Sequence, residues 1–144
     1  MKIIGARSRD NGRTPMQWTA GESAGFTTGT PWLGVNHNHA AINVEAERED
    51  DDSILAFYRR LIALRKEHRI IAEGSIRFLE RENDDVIAYE RALGSERLLV
   101  LCNFRASDIA MPELHAAGEK LIGNYPGMAA HLRPYEVIAL RWVE

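Results

Sequence analysis

A single cysteine, Cys102, among 144 residues excludes an internal disulfide. It ends the apolar run Leu98-Leu99-Val100-Leu101-Cys102, a setting that suits a buried, inert thiol in a reducing compartment better than a nucleophile. A cytoplasmic location is the matching expectation. No apolar stretch approaches the ~18 residues that would read as a membrane span. The opening Met1-Lys2-Ile3-Ile4-Gly5-Ala6 lacks the apolar centre of a secretion signal. Neither sign of charge dominates. With 18 Lys and Arg against 21 Asp and Glu, the net charge of −3 leaves no footprint for nucleic acid or an anionic membrane, and neither is expected as a partner. Glycine-rich phosphate loops, Cys/His clusters and a Gly-x-Ser-x-Gly elbow are all missing, so no cofactor and no metal is expected.

What remains is a chain with 45% hydrophobic and 27% charged residues, ordinary for a globular domain. Residues 1–52 form an irregular arm rich in Gly, Asn, Thr and Pro, without sustained periodicity. An ordered stretch of that kind needs another surface to lean on, and such long loops are generally functional or disordered. Over 53–69 the pattern turns helical. Ile54, Leu55, Tyr58, Leu61, Ile62 and Leu64 recur at three- and four-residue spacing. Asp52 or Ser53 is placed to cap the first turn, and Arg65, Lys66 and His68 complement the dipole at the far end.

From 70 to 144 the chain reads as short strands separated by turns. Ser75–Leu79 alternates, Val86–Arg91 follows the turn signal Asn83-Asp84-Asp85, and Lys120–Gly123 and Glu136–Val143 continue the pattern. The nearly continuous apolar run from Arg97 to Phe104 predicts a central strand covered on both faces. In the last run Ile138, Leu140 and Trp142 share one face, and Val137, Ala139 and Val143 the other. The class expected is mostly β, an irregular arm and one helix followed by a small antiparallel β-sandwich.

Several groups invite chemistry. In the loop Arg9-Asp10-Asn11-Gly12-Arg13, two guanidiniums flank one carboxylate; on residues alone this reads as an ion pair that pins a turn. Trp18, Phe26 and Trp32 are loop aromatics that either stack on sugar rings or wedge the loop onto its scaffold, and the wedge is the expectation for Trp18 and Trp32. His37 and His39 lack the third and fourth ligands of a zinc site. The acidic run from Glu45 to Asp52 has no glycine where a calcium loop needs one, and reads as a solvated lead-in to the helix.

Four blocks, in order, carry a resemblance: Ser8-Arg9-Asp10-Asn11-Gly12-Arg13-Thr14-Pro15-Met16-Gln17-Trp18, Ala24–Leu33, Ile42-Asn43-Val44-Glu45, and Ser53–Lys66. Together they resemble the end of the catalytic barrel in α-glucosidases of the α-amylase superfamily (glycoside hydrolase family 13), the oligo-1,6-glucosidase and trehalose-6-phosphate hydrolase group. The resemblance implies that the arm crosses the mouth of a (β/α)8 barrel, that the helix is the last barrel helix, and that the β-sandwich trails it. It implies retaining hydrolysis of α-glucosidic bonds in short oligosaccharides or trehalose 6-phosphate. Arg13 then matches an arginine that binds the non-reducing-end glucose, with Arg9 and Asp10 orienting it and Gln17 beside the pocket; a planar, permanently charged fork suits paired sugar hydroxyls. His37 and His39 depart from the Pro and Tyr usual there, which bears on the outer sugar sites.

Retaining hydrolysis needs two carboxyl groups about 5–5.5 Å apart. None of the 21 acidic residues lies in a segment resembling the family's catalytic motifs, and a full barrel takes about 250 residues. The expectation is a C-terminal fragment that binds an α-glucoside in the context of the full barrel and has no activity alone. A free-standing carbohydrate-binding or interaction module is the alternative. The apolar face of the helix is expected to meet a partner chain or a second copy.

Overall fold

A computed structural model of the chain describes residues 9–112 and 118–144. The chain divides into two compact units, Met1–Arg59 and Arg60–Glu144. The division falls inside the long helix.

In the first unit the backbone is held by turns. Arg9–Gly12 and Glu22–Gly25 are 3-10 turns, as is His37–Ala40. Helix α1, Val44–Arg48, follows and was not foreseen, since its sequence had read as a solvated lead-in. The orphan N–H groups at its start explain it. The amides of Val44 and Glu45 donate to the carbonyls of Gln17 and Trp18 at 2.9 and 3.0 Å. Asn43, buried, accepts from the Ala46 amide at 2.9 Å and donates to the His39 carbonyl at 2.9 Å. The start of α1 thus ties residues 17–18 to residues 39–46.

Ser23, Ala24 and Gly25 are consecutive left-handed residues, with φ of 50°, 55° and 65°. Ala24, fully buried, accepts at its carbonyl from the amides of both Trp18 and Thr19. A side chain at Gly25 would meet Thr19 Oγ1 at 2.8 Å, so that position requires glycine.

Helix α2 runs Ile54–Glu67, within the predicted bounds. Of the two candidate caps, Ser53 is the one used: its Oγ accepts from the Ala56 amide at 3.1 Å and donates to the Glu47 carbonyl at 2.7 Å. None of the fourteen helix residues is buried. Ile54, Tyr58, Leu61 and Ile62 occupy one face, at i, i+4, i+7 and i+8, and all four are exposed.

In the second unit, helix α3 (Arg69–Glu73) leads into the sheet. Its Ile70 is fully buried, and its terminal carbonyls at Ile70 and Gly74 accept from the Arg91 guanidinium at 3.0 and 2.6 Å. Strands β1 (Ser75–Leu79), β2 (Val86–Leu93), β3 (Glu96–Asn103), β5 (Glu119–Gly123) and β7 (Val137–Val143) form one antiparallel sheet in the order β1-β2-β3-β7-β5. Two-residue strands β4 (Ile109–Ala110) and β6 (His131–Leu132) pair separately. The fold is mostly β, as expected, and the two short helices α1 and α3 join the one that was foreseen.

Strand β3 is central, and its two faces build two cores. Leu99 and Leu101 lie opposite Leu140 and Ile138 and pack with Val86, Ala88 and the fully buried Leu132 of β6. Leu98 and Val100 pack with Ile70 of α3, with Val137 and Ala139 alongside. The facing of Ile138, Leu140 and Trp142 against Val137 and Ala139 is therefore as read from the alternation. Each fully buried aliphatic side chain contributes roughly 1.5–3 kcal/mol by leaving water. Leu132 and Ile109 of the small β4–β6 pair pack into one core and Ile70 of α3 into the other.

Candidate functional site

The candidate residues lie in the first unit. The turn Arg9–Gly12 brings the amide of Arg13 to the Asp10 carbonyl at 3.0 Å. That closure sets the Arg13 guanidinium 3.2 Å from Asp10 Oδ1, an ion pair with both side chains about half exposed. An exposed pair of this kind is worth little to stability, with a median of ~0–1 kcal/mol. It engages one nitrogen of the guanidinium fork, Nη1. Arg9 belongs to the same turn, and its side chain lies outside the described residues.

Trp32 was expected as a packing wedge; in the chain as it stands its indole is largely open. Its side chain is 83% exposed, and the Arg13 guanidinium stands 5.7 Å from its ring centroid. The indole is an open apolar plane beside a cation. Sequence reasoning missed this neighbour because 19 positions separate the two residues and nothing local signals the contact. Trp18, less exposed, is held through its backbone to Ala24 and Glu45.

Gln17 sits elsewhere. Its side-chain amide donates to the Ile42 carbonyl, so its nitrogen fastens the arm. It lines a groove of about 430 Å³ with Met16, Ile42, Ile54 and Tyr58 among its walls. Arg13 and Asp10 are not part of that groove. Of the four candidates, the structure brings Arg13 and Asp10 together and places Gln17 in a different setting. His37 and His39 lie in the exposed 3-10 turn, where His39 Nδ1 is 2.9 Å from the Asn36 carbonyl oxygen. Among the described residues, no group of three or more His, Cys, Asp or Glu is placed to hold a metal ion. No helix among them is long and apolar enough to cross a membrane.

Two groups in the second unit are shifted in opposite directions, one by burial and one by hydrogen bonding. The half-buried Cys102 thiol is pushed up from its ordinary pKa by desolvation, which disfavours the nucleophilic thiolate. The Glu136 carboxyl is held below the usual range by hydrogen bonding to Arg133.

With that geometry in view, the comparisons with known proteins are specific. The family described as the alpha amylase catalytic domain matches residues 1–74. The oligo-1,6-glucosidase of Parageobacillus thermoglucosidasius is 41% identical over 94% of this chain and 26% of its own length. The trehalose-6-phosphate hydrolase of Bacillus subtilis strain 168 is 40% identical over 96% of this chain and 27% of its own length. Among solved structures, the trehalose-6-phosphate hydrolase of Bacillus licheniformis superposes with a TM-score of 0.89 at 35% identity, covering 99% of this chain and 28% of that one. The trehalulose synthase of Pseudomonas mesoacidophila MX-45 gives 0.85 at 40% identity, over 93% and 26%. The chain belongs to the alpha-amylase family and spans about a quarter of the length of these relatives.

Proposed function

We propose that this chain is the sugar-gripping, C-terminal share of a retaining α-glucosidase. The parent activity is hydrolysis of α-glucosidic bonds in short oligosaccharides or trehalose 6-phosphate. The observation that carries the reading is the 41% identity to an oligo-1,6-glucosidase across 94% of this chain. In this reading residues 1–52 are the loop arm at the barrel mouth, 53–69 the last barrel helix and 70–144 the trailing β-sandwich. Arg13 grips glucose hydroxyls, Asp10 and Arg9 orient it, and Gln17 stands beside the pocket.

No segment of the chain resembles the family's nucleophile or acid/base motif, and loss of such groups costs many orders of magnitude in rate. The chain by itself binds sugar weakly and does not cleave it. Its apolar helix face meets other protein, either a partner polypeptide or a second copy. The protein resides in the cytoplasm, where Cys102 stays reduced. Incubation of the purified chain with p-nitrophenyl α-glucoside is the test: no release of nitrophenol above buffer is expected, and steady turnover removable by Arg13→Ala overturns the reading.

The open indole of Trp32 favours a second reading, a module that binds glucan without any barrel. Retention of the isolated chain on immobilised α-glucan, lost in Trp32→Ala, is its mark.

A further inference from the structure

The Arg13 guanidinium meets Asp10 and Trp32 in different ways. Its Nη1 donates to Asp10 Oδ1 at 3.2 Å. Trp32 instead presents its ring, with the central carbon of the fork 5.7 Å from the ring centroid. All three residues lie in the irregular arm, and local turns place them. The Arg13 amide closes on the Asp10 carbonyl at 3.0 Å. The Gly29 amide donates to Thr27 Oγ1 at 3.1 Å, and Pro31, with its fixed φ, directly precedes Trp32.

The ion pair does not aim the fork by itself. Both side chains are about half exposed, and water competes with a pair of this kind. A hydrogen bond at one terminal nitrogen lets the guanidinium plane swing about that atom, and the long arginine side chain gains rotamer freedom by doing so. Contact with a ring face restricts the swing, because the attraction lasts only while the cation stays over the π system. Trp32 is 83% exposed, so burial within this unit does not account for where its indole stands. The contact with Arg13 does.

We infer that Trp32 is a positioning residue: its ring sets the plane of the Arg13 guanidinium toward sugar hydroxyls, while Asp10 holds one edge. This deepens the proposed role of Arg13 and rests on it. A planar fork binds paired hydroxyls only when it is turned to meet them. Loss of the ring therefore weakens sugar binding although the sugar-binding group is still there.

The test uses the isolated chain with Trp32→Ala, Trp32→Leu or Trp32→Phe, each made alone and together with Arg13→Ala. Leucine keeps apolar bulk without a π system, and phenylalanine keeps the π face. Nuclear magnetic resonance reads the Arg13 Nε–H signal, which a nearby ring face displaces, and titration with methyl α-glucoside reads affinity. The displacement is expected to vanish in the Ala and Leu forms and to persist in the Phe form. Affinity should fall about 2–5-fold in the Ala and Leu forms, the ratio that corresponds to an exposed cation–π contact, and recover in the Phe form. In the Arg13→Ala background none of the three substitutions should weaken binding further.

An Arg13 signal indifferent to all three substitutions overturns the inference. So does an equal loss of affinity in both backgrounds, which makes Trp32 a surface for the sugar itself, as in the module reading. A Phe form no better than the Leu form also overturns it, since bulk alone then matters. If methyl α-glucoside leaves the unsubstituted chain unchanged while the ring displacement is present and is lost in Trp32→Ala, the sugar-gripping reading of Arg13 falls and the hold of Trp32 on the guanidinium stands.

Discussion

The carboxylate of Glu47 accepts the backbone N–H of Leu55 at 2.9 Å, so a side chain of α1 closes the open start of α2. Ser53 completes the arrangement by accepting from the Ala56 amide and donating to the Glu47 carbonyl. A negative group at a helix N-terminus also meets the positive end of the dipole. Replacing either residue leaves first-turn amides without partners. Glu47→Ala and Ser53→Ala are each expected to cost about 1 kcal/mol. Hydrogen exchange at the Leu55 and Ala56 amides should rise about fivefold in these variants, and unchanged exchange would show that the cap is incidental.

The core of the second unit depends on β3. Leu99 is 2% exposed and stands in register with Leu140, which is equally buried. Truncation leaves a cavity between the sheet and the residues that cover it. Leu99→Ala is expected to destabilise this unit by about 2–5 kcal/mol. Urea unfolding followed by near-ultraviolet circular dichroism reads this loss, and a shift below half a kilocalorie would show that the site collapses without strain.

A pH dependence follows from Glu136. It is 2% exposed, and its carboxylate accepts from the Arg133 side chain at 2.6 and 2.9 Å and from the Arg133 amide at 2.8 Å. Arg133 also stacks over Tyr125 at 4.3 Å. Hydrogen bonding to Arg133 holds the folded-state pKa of Glu136 below its ordinary value, against a smaller opposing effect of burial. A carboxylate depressed in the folded state stabilises fully above its unfolded pKa, and that stability is lost as pH falls through the folded pKa. Melting temperature should therefore hold above about pH 5 and decline below it. Glu73 beside Arg69 acts in the same direction, but that pair is exposed and screened by water. Glu136→Gln should melt lower at pH 7 and show a flatter decline in acid. An unaltered slope would assign acid sensitivity to other carboxylates.

Cys102 supplies a third check on the second unit. Burial raises its thiol pKa, so little thiolate is present at neutral pH. Reaction with a disulfide reagent at pH 7.5 should run about 100-fold slower than for an exposed thiol. It should reach the exposed rate in denaturant. Rapid labelling of the folded chain would contradict the packing of β3 against its neighbours.

The sheet and α2 were legible because their signals are local and periodic. Two-residue alternation marks β1, β2 and β7, an unbroken apolar run marks β3, and the spacing of Ile54, Tyr58, Leu61 and Ile62 marks the helix. Strands β4 and β6 span two residues each, too short to carry a period. Helix α1 is fixed by Asn43 and by distant carbonyls at Gln17 and Trp18, which composition does not announce. Helix α3 needed Arg91, 18 positions beyond its last residue. The turn that pairs Arg13 with Asp10 is local and was readable. Trp32 beside Arg13 was not, because exposure of an indole depends on what lies around it rather than on its neighbours in sequence.

The most direct measurement is hydrolysis of p-nitrophenyl α-glucoside by three proteins side by side: the isolated chain, a chimera joining it to the catalytic-domain sequence of the P. thermoglucosidasius oligo-1,6-glucosidase that lies outside the matched region, and that chimera carrying Arg13→Ala. Loss of a charged hydrogen bond to sugar corresponds to about 10–100-fold in kcat/KM. The account predicts no turnover by the isolated chain, clear turnover by the chimera and a drop of that size in the Arg13→Ala form. Its melting temperature should be unchanged, since the Arg13–Asp10 pair is exposed. Turnover by the isolated chain, or an Arg13→Ala chimera as active as its parent, would contradict it.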